Sequence, residues 1–341
     1  MSYFQERHQS VKWRGFITSP KRINGGGPQG ATLGILEYLS QSNNSSDCVE
    51  HNERFKFVDD FTVLEIVNLI TIGLSSFNTR NQIPNDLKAG DLYISPENLN
   101  SQIYLDKISA WTNNQKMKIN IEKTKSMVFN YTHNYQFGTR LKLDDNIIET
   151  VSETKLLGTI ITNDLKWNLN TNHIVKKAYA RMQLLRKLSS FGAPVSDLKQ
   201  VYITFIRSLC EQSSVVWHSS LTLQNQEDIE RVQKIALRII LKNGYTNYEN
   251  ALNMIDLQSL RERRNDLCLN FAQKCLGNKK MKHLFPPNNR SHEMSPRNHE
   301  HFQVLHANTE RLKNGPIIFM QNLLNQVVQK KKEQDYLWNN C

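Results

Sequence analysis

Apolar positions change their period once along this chain, close to Trp167. Before it they come in short runs typical of strands and turns. After it they recur every three or four residues, as on helices that bury one stripe. In the first part, Trp13 and Phe16 are candidate strand residues, and Gly25 to Gly30 is a turn. Consecutive glycines with a proline stop both a helix and a ladder. ATLGILEYL after it reads as a helix start, and Gln41 to Glu53 as a polar loop. Arg54 to Leu64 (RFKFVDDFTVL) is aromatic and β-branched on both sides of an Asp-Asp pair, which predicts a hairpin with the acids at its tip. Residues 80 to 100 read as an Asn- and Pro-rich loop, and Asn98 to Gln115 as a helix carrying Ile103, Leu105, Ile108 and Trp111. Met117 to Asn130 predicts strand, turn and strand. Leu141 to Val151 predicts a hairpin turning at Asp144-Asp145-Asn146, and KLLGTIIT a strand.

In the second part, His173 to Phe191 carries Ile174, Ala178, Met182, Leu185 and Leu188 on one stripe. Ser196 to Trp217, Asn225 to Leu241 and Leu257 to Cys275 are three further helical segments. Trp111 and Trp217 fall on apolar stripes and are expected in cores. Arg261, Arg263 and Arg264 cannot share one face, so pairing with acids such as Glu262 or Asp266 is expected. Lys282 to Asn298, with Pro286, Pro287 and Pro296, reads as a linker, and the end of the chain as a tail with Lys330-Lys331-Lys332. There is no internal repeat.

Composition adds a sign to this picture. Lys and Arg number 43 against 32 Asp and Glu, a formal net charge of +11 over 341 residues. Such a surplus favours polyanionic partners, because phosphate contacts release condensed counterions. Cys48, Cys210, Cys268, Cys275 and Cys341 form no C-x-x-C pair and are odd in number. Zinc knuckles and a disulfide framework are therefore not expected, and an intracellular compartment, cytoplasm or nucleus, is. No stretch approaches the roughly 18 apolar residues of a membrane helix, so no membrane partner is expected.

Candidate chemistry begins at Asp59-Asp60. Adjacent carboxylates between apolar strands need solvent or a cation, and a tight turn can aim both at one hard ion. The competing reading is a solvated tip, and Asp144-Asp145 is a second such pair in the same chain. Order and spacing favour the first reading for Asp59-Asp60. The glycine loop lies upstream, and it is not a Walker loop because no Gly-Lys-Ser/Thr follows. Asn120-x-x-Lys123-Thr124-Lys125 and then Leu157-Gly158, placed in a strand, lie downstream.

Taken in order, these residues resemble the reverse transcriptases of non-LTR retrotransposons, the LINE-type and jockey-like RNA-directed DNA polymerases. In that family a Gly-x-Pro-Gln-Gly loop lines the nucleotide site, which here implies Gly27, Pro28, Gln29 and Gly30. An aromatic-x-Asp-Asp hairpin carries metal ligands, here Phe57-Val58-Asp59-Asp60, with Phe57 where the family more often has Tyr. A Lys-Thr motif follows (Met117 to Met127), then a Leu-Gly primer-gripping hairpin (Lys155 to Thr162). The resemblance extends from about residue 5 to about residue 290. It implies catalytic roles for Asp59, Asp60 and Lys123, metal binding by Asp59 and Asp60, and Mg²⁺ as cofactor with Mn²⁺ as the alternative. It also implies dNTP, an RNA template and a DNA primer as partners, and leaves open association with a fuller retrotransposon copy. Lys177, Arg181 and Lys187 on the first long helix would hold nucleic acid. A solvated helix face is the other reading of these cations.

The expected fold is α+β: a partial right-hand polymerase palm followed by a helical thumb and a helical C-terminal extension. The expected divisions are a palm over 1–130, a primer-grip-like hairpin region over 131–166, a thumb and extension over 167–285, and a polar linker with a basic tail over 286–341. Two-metal nucleotidyl transfer needs at least three carboxylates. The family takes the third, an Asp, from a strand before the glycine loop. Here Glu6 and Glu37 are the acids that precede Asp47. The expectation is an N-terminally truncated polymerase fragment, inactive alone, and it is an open question whether it is an enzyme at all. The alternatives are a non-catalytic basic nucleic-acid-binding remnant and a product with no selected function.

Overall fold

The structure, a computed structural model, describes residues 8–13, 15–22, 54–57, 60–65, 92–93, 99–130, 137–138, 140–288 and 302–338. At 9, 13, 54–57, 60–61, 92–93, 137–138 and 331–338 the backbone alone is described. The chain divides after Val151 into two units.

The first unit is built from short strand pairs and one helix. Strands β1 (His8–Gln9) and β4 (Lys21–Arg22) pair antiparallel around the β2–β3 pair (Lys12–Trp13, Phe16–Ile17). β5 (Arg54–Phe57) and β6 (Asp60–Val63) form an antiparallel hairpin. β7 (Leu92–Tyr93) pairs with β9 (Phe137–Gly138), and β8 (Lys125–Ser126) with β12 (Glu149–Thr150), both in parallel. β10 (Lys142–Leu143) and β11 (Asn146–Ile147) meet at a two-residue turn in which Asp144 takes a left-handed φ of 53°.

Helix α1 (Asn100–Asn114) lies against this last hairpin. The Gln102 side chain acts as a strand partner. Its Nε2 donates to the Lys142 carbonyl at 2.8 Å, and its Oε1 accepts from the Lys142 amide at 2.9 Å. Ser109 Oγ donates to Asp144 Oδ1 at 2.7 Å, so this Asp-Asp turn has a structural partner. Tyr104, Leu143 and Ile148 are buried, whereas Trp111 is half-buried. Between Met117 and Asn130 the structure has one short strand, β8, and a turn at 121–123, not two strands.

The second unit opens with the antiparallel hairpin β13 (Glu153–Leu156) and β14 (Thr159–Thr162). Leu157 and Gly158, expected within a strand, form its turn, with φ of 47° and 89°. Two successive positive φ values match the right-handed twist of the flanking strands. Helix α2 (Asn168–Ser190) follows and packs along α4 (Leu223–Leu241). Ile174, Ala178, Met182 and Leu185 of α2 meet Ile229, Val232, Ala236, Leu237 and Ile240 of α4 in one buried cluster. Thr222 caps α4, accepting from the Asn225 amide at 3.2 Å. Cys210, Cys268 and Cys275 are free and buried.

The segment expected as one helix over Ser196 to Trp217 is broken. It starts as α3 (Val195–Val201), passes through a π-helical turn at Tyr202–Arg207 and ends at Ser208–Glu211. Gln212 is extended and Ser213 left-handed before the short helix Ser214–Trp217. The wider turn brings Tyr202, Ile206, Leu209 and Cys210 all inward. The break frees the Gln212 carbonyl, which accepts from the buried Trp217 indole at 3.0 Å. The indole N–H would otherwise stay unmatched in the core.

A buried polar chain ties α5 (Tyr248–Ile255) and α6 (Leu260–Gly277) to this core. The Tyr202 hydroxyl donates to Gln233 Oε1, and Gln233 Nε2 donates to the Tyr248 hydroxyl and the Gln258 carbonyl. Tyr248 donates to Glu230, whose carboxylate also accepts from the Leu260 and Arg261 amides. That places an anion on the first turn of α6, where the helix dipole favours it. Ser259 and Glu262 add a capping box.

Residues 286–341, expected as linker and tail, contain the 23-residue helix α7 (Pro316–Trp338). Its Met320 and Leu324 close a second core with Phe285 and with Cys268, Ala272 and Cys275 of α6. The apolar run Ile317-Ile318-Phe319-Met320 is the sequence signal that carries this helix.

Candidate nucleic-acid interface

The expected site residues fall in three places. Gly27, Pro28, Gln29 and Gly30 lie outside the described residues, as does Asp59. The backbone of Asp60 starts β6 and pairs with Phe57, leaving a two-residue connection between the strands. Just past β6, the Glu65 carboxylate accepts from the Asn100 and Ser101 amides and from the Ser101 hydroxyl, at 3.0, 2.8 and 2.6 Å. The residue before α1, Leu99, offers no side-chain cap, so an acid 35 residues away neutralises the helix start. This fixes the strand that carries Asp60 to α1.

Lys123 is exposed on a turn organised by Asn120. Asn120 Oδ1 accepts from the Lys123 amide at 3.1 Å, and its carbonyl from the Thr124 hydroxyl at 2.8 Å. Asn and Thr thus shape the backbone here, while Lys125 pairs with Glu149. Among the described residues no group of three or more His, Cys, Asp or Glu side chains could hold a metal ion.

The third place is α2. Lys176, Lys177, Arg181, Arg186 and Lys187 are all exposed. Lys177 and Arg181 are one turn apart on the same face. Lys187 is turned roughly 80° away from Lys177 at about 100° per residue, and it lies in the last turn. The structure therefore brings Lys177 and Arg181 together and leaves Lys187 off their face. His173 lies one turn before Lys177, with a buried Nε2 that has no hydrogen-bond partner. Burial lowers its pKa first, then the charges of Lys177, Lys155 and Lys176. Every charge acting on it is cationic, and Lys155 comes from β13. Lys155 of the hairpin and Lys176 and Lys177 of the helix thus gather around one histidine. Lys155 is the member the helical periodicity could not reveal, because it arrives from another element. Arg181 Nη1 also donates to the Phe205 carbonyl on the π-helical turn.

The arginines of α6 serve the interior and its edge. Arg263 pairs with Glu211 at 3.0 Å, a carboxylate that Arg207 also approaches at 3.3 Å. Arg264 is fully buried beside Trp217. Its Nε donates to His218 Nδ1 at 3.1 Å, so His218 is neutral, and its Nε2–H is paired with Asn265 Oδ1 at 2.8 Å. Burial and the Arg264 charge hold the His218 pKa down at about 4. These arginines do not pair with Glu262 or Asp266 as expected. The acid that Arg263 meets comes from another helix.

Comparison with known proteins gives one relative of stated function. The chain is 24% identical over 247 residues to the probable RNA-directed DNA polymerase from transposon BS of Drosophila melanogaster. The similarity covers 72% of this chain and 25% of that protein, so the chain spans about a quarter of the length of the curated relative it matches. It relates the chain to transposon reverse transcriptases. No family profile and no solved structure matches. Among the described residues no helix is long and apolar enough to cross a membrane.

Proposed function

We propose that this chain is a fragment of a non-LTR retrotransposon RNA-directed DNA polymerase, in which hairpin β13–β14 and α2 grip the template–primer. The observation that carries this is the gathering of Lys155, Lys176 and Lys177 around His173, with Arg181 one turn on from Lys177, in a chain similar to a transposon RNA-directed DNA polymerase. Lysine and arginine on one face hold phosphates without reading bases, as a polymerase that copies any sequence requires. In this reading the first unit is the remnant of the palm, and α2 to α6 are thumb and extension.

The β5–β6 register is compatible with the catalytic assignment, since it starts β6 at Asp60, opposite Phe57. Asp59 and Asp60 would hold Mg²⁺. The cation would lower the pKa of the primer hydroxyl and offset charge on the phosphate. Gly27, Pro28, Gln29 and Gly30 would line the dNTP, and Lys123 would balance the charge of the departing pyrophosphate. Two carboxylates suffice to anchor one cation and fall short for two. The 341-residue chain by itself is therefore expected to bind and not to polymerise.

Primer extension on an RNA template with Mg²⁺ or Mn²⁺ tests this. The chain should be assayed alone and fused to the upstream polymerase segment of a full-length relative. Extension by the fusion, abolished by Asp59→Ala, is the expected result. No extension by either favours the non-catalytic binding reading. Extension by the chain alone that Asp59→Ala removes would overturn the carboxylate argument.

A further inference from the structure

Phe205 is 52% exposed on the π-helical turn, and its carbonyl accepts from Arg181 of α2. The wider turn rotates Tyr202 and Ile206 inward and leaves Thr204, Phe205 and Ser208 facing out. π-Helical turns inside helices often mark functional positions. Two further observations define what Phe205 could meet. Arg181 is anchored on the Phe205 carbonyl through Nη1 alone, which leaves the rest of its guanidinium fork for a phosphate. The Thr204 hydroxyl donates to the Gln200 carbonyl at 2.8 Å, and the Ser208 hydroxyl to the Thr204 carbonyl at 2.7 Å. Both hydroxyl protons are thus committed to backbone, and on two exposed residues both oxygens remain available as acceptors.

A flat apolar ring, a phosphate-seeking cation and a pair of available acceptors match three parts of one ligand. The ring suits an unstacked base, the guanidinium its phosphate, and the acceptors a donor on the sugar. The ribose 2′-hydroxyl supplies that donor, and deoxyribose lacks it. We propose that the Thr204–Phe205–Ser208 face, with Arg181, binds unpaired RNA next to the hybrid held by α2. This rests on the proposed grip and goes beyond it by assigning a single-strand subsite with a preference for RNA.

The test uses the full chain and two oligonucleotides of about ten nucleotides, within the length range of single-strand sites. One is RNA and one DNA of the same sequence, each carrying 2-aminopurine. A blunt RNA–DNA hybrid is the third probe. Base–aromatic stacking is worth about a factor of ten in affinity. Phe205→Ala should therefore weaken single-stranded RNA binding roughly ten-fold, relieve the fluorescence quench, and leave hybrid binding unchanged. Phe205→Trp should restore both. Thr204→Val with Ser208→Ala should erase the preference for RNA while retaining the quench. Equal affinity of the wild-type chain for RNA and DNA would overturn the proposal, as would a Phe205→Ala variant that still quenches. Loss of binding to the blunt hybrid in the Lys177 and Arg181 variants is a separate readout, and its absence would count against the grip itself. Phe205 is half outside the protein, so its variants should fold, and unchanged thermal melting checks that they do.

Discussion

Gly158 sits directly against the Gln212 side-chain amide, so closely that a Cβ at position 158 would overlap Gln212 Nε2. The same amide donates to the Leu157 carbonyl at 3.2 Å. The tip of the β13–β14 hairpin is therefore seated on the break in the helical segment that follows α3. This explains two departures from simple periodicity together. Leu157-Gly158 turns where a strand was expected, and the helix ends at Gln212 where continuation was expected.

Gly158→Ala should destabilise the second unit by about 1–3 kcal/mol, from the positive φ and the overlap. The two causes separate by experiment. In a Gln212→Ala background the overlap disappears and the φ penalty remains, so the same substitution should cost about 1–2 kcal/mol. Urea unfolding of the four variants measures this. Equal costs in both backgrounds would show that Gln212 yields freely.

Acid should weaken the fold in two separate windows. The folded pKa of His218, about 4, lies below its ordinary value of 6.5. The unfolded chain therefore takes up this proton first, and stability falls as pH drops from about 6.5 towards 4. Full loss of this contribution is on the order of 3 kcal/mol. Asp164 behaves differently. Hydrogen bonds from the Thr162 hydroxyl and then the Lys166 amide lower its pKa to about 2. Its contribution is present above 3.8 and lost as pH falls towards 2. His218→Gln should shrink the upper window in melting curves to the share of His173, whose pKa burial also lowers, and leave the lower window. A melting temperature that is flat between pH 6.5 and 4 in the wild-type chain would contradict the buried neutral His218.

Met320→Ala should cost about 2–5 kcal/mol, the usual range for a large-to-small change in a closed core. Met320 is 2% exposed and packs with Cys268, Ala272 and Phe285. Were α7 an undocked tail, the substitution would change nothing. Differential scanning calorimetry distinguishes the two.

Much of the helical architecture was legible in the sequence because each α2 or α4 core residue repeats at helical spacing. The hairpins over 54–63 and 142–147 were legible from turn residues between β-branched runs. Three things were not. The break at Gln212 depends on a carbonyl that Trp217 needs, a contact between residues that periodicity treats as independent. Helix α7 follows a proline-rich stretch and carries Lys330-Lys331-Lys332 within its own second half, and both mask its short apolar run. Arg264 belonged to a trio expected to pair with acids, and nothing in its sequence context shows that it caps a buried histidine instead. For the site, the sequence marked Lys177 and Arg181 through their one-turn spacing. Lys155 and Phe205 were invisible, since one comes from a strand and the other is exposed by a π-helical turn.

Whether α2 grips nucleic acid through phosphates is decided by the salt dependence of hybrid binding. Fluorescence anisotropy with a blunt RNA–DNA hybrid, repeated across salt concentrations, gives the slope of log affinity against log salt. Each phosphate contact to a duplex contributes about −0.9. A steep negative slope is expected for the wild-type chain. In the Lys177→Gln, Arg181→Gln variant the slope should shrink by nearly two, with affinity lowered equally for all hybrid sequences. Binding that ignores salt, or a slope unchanged in the double variant, would show that α2 does not hold the phosphates.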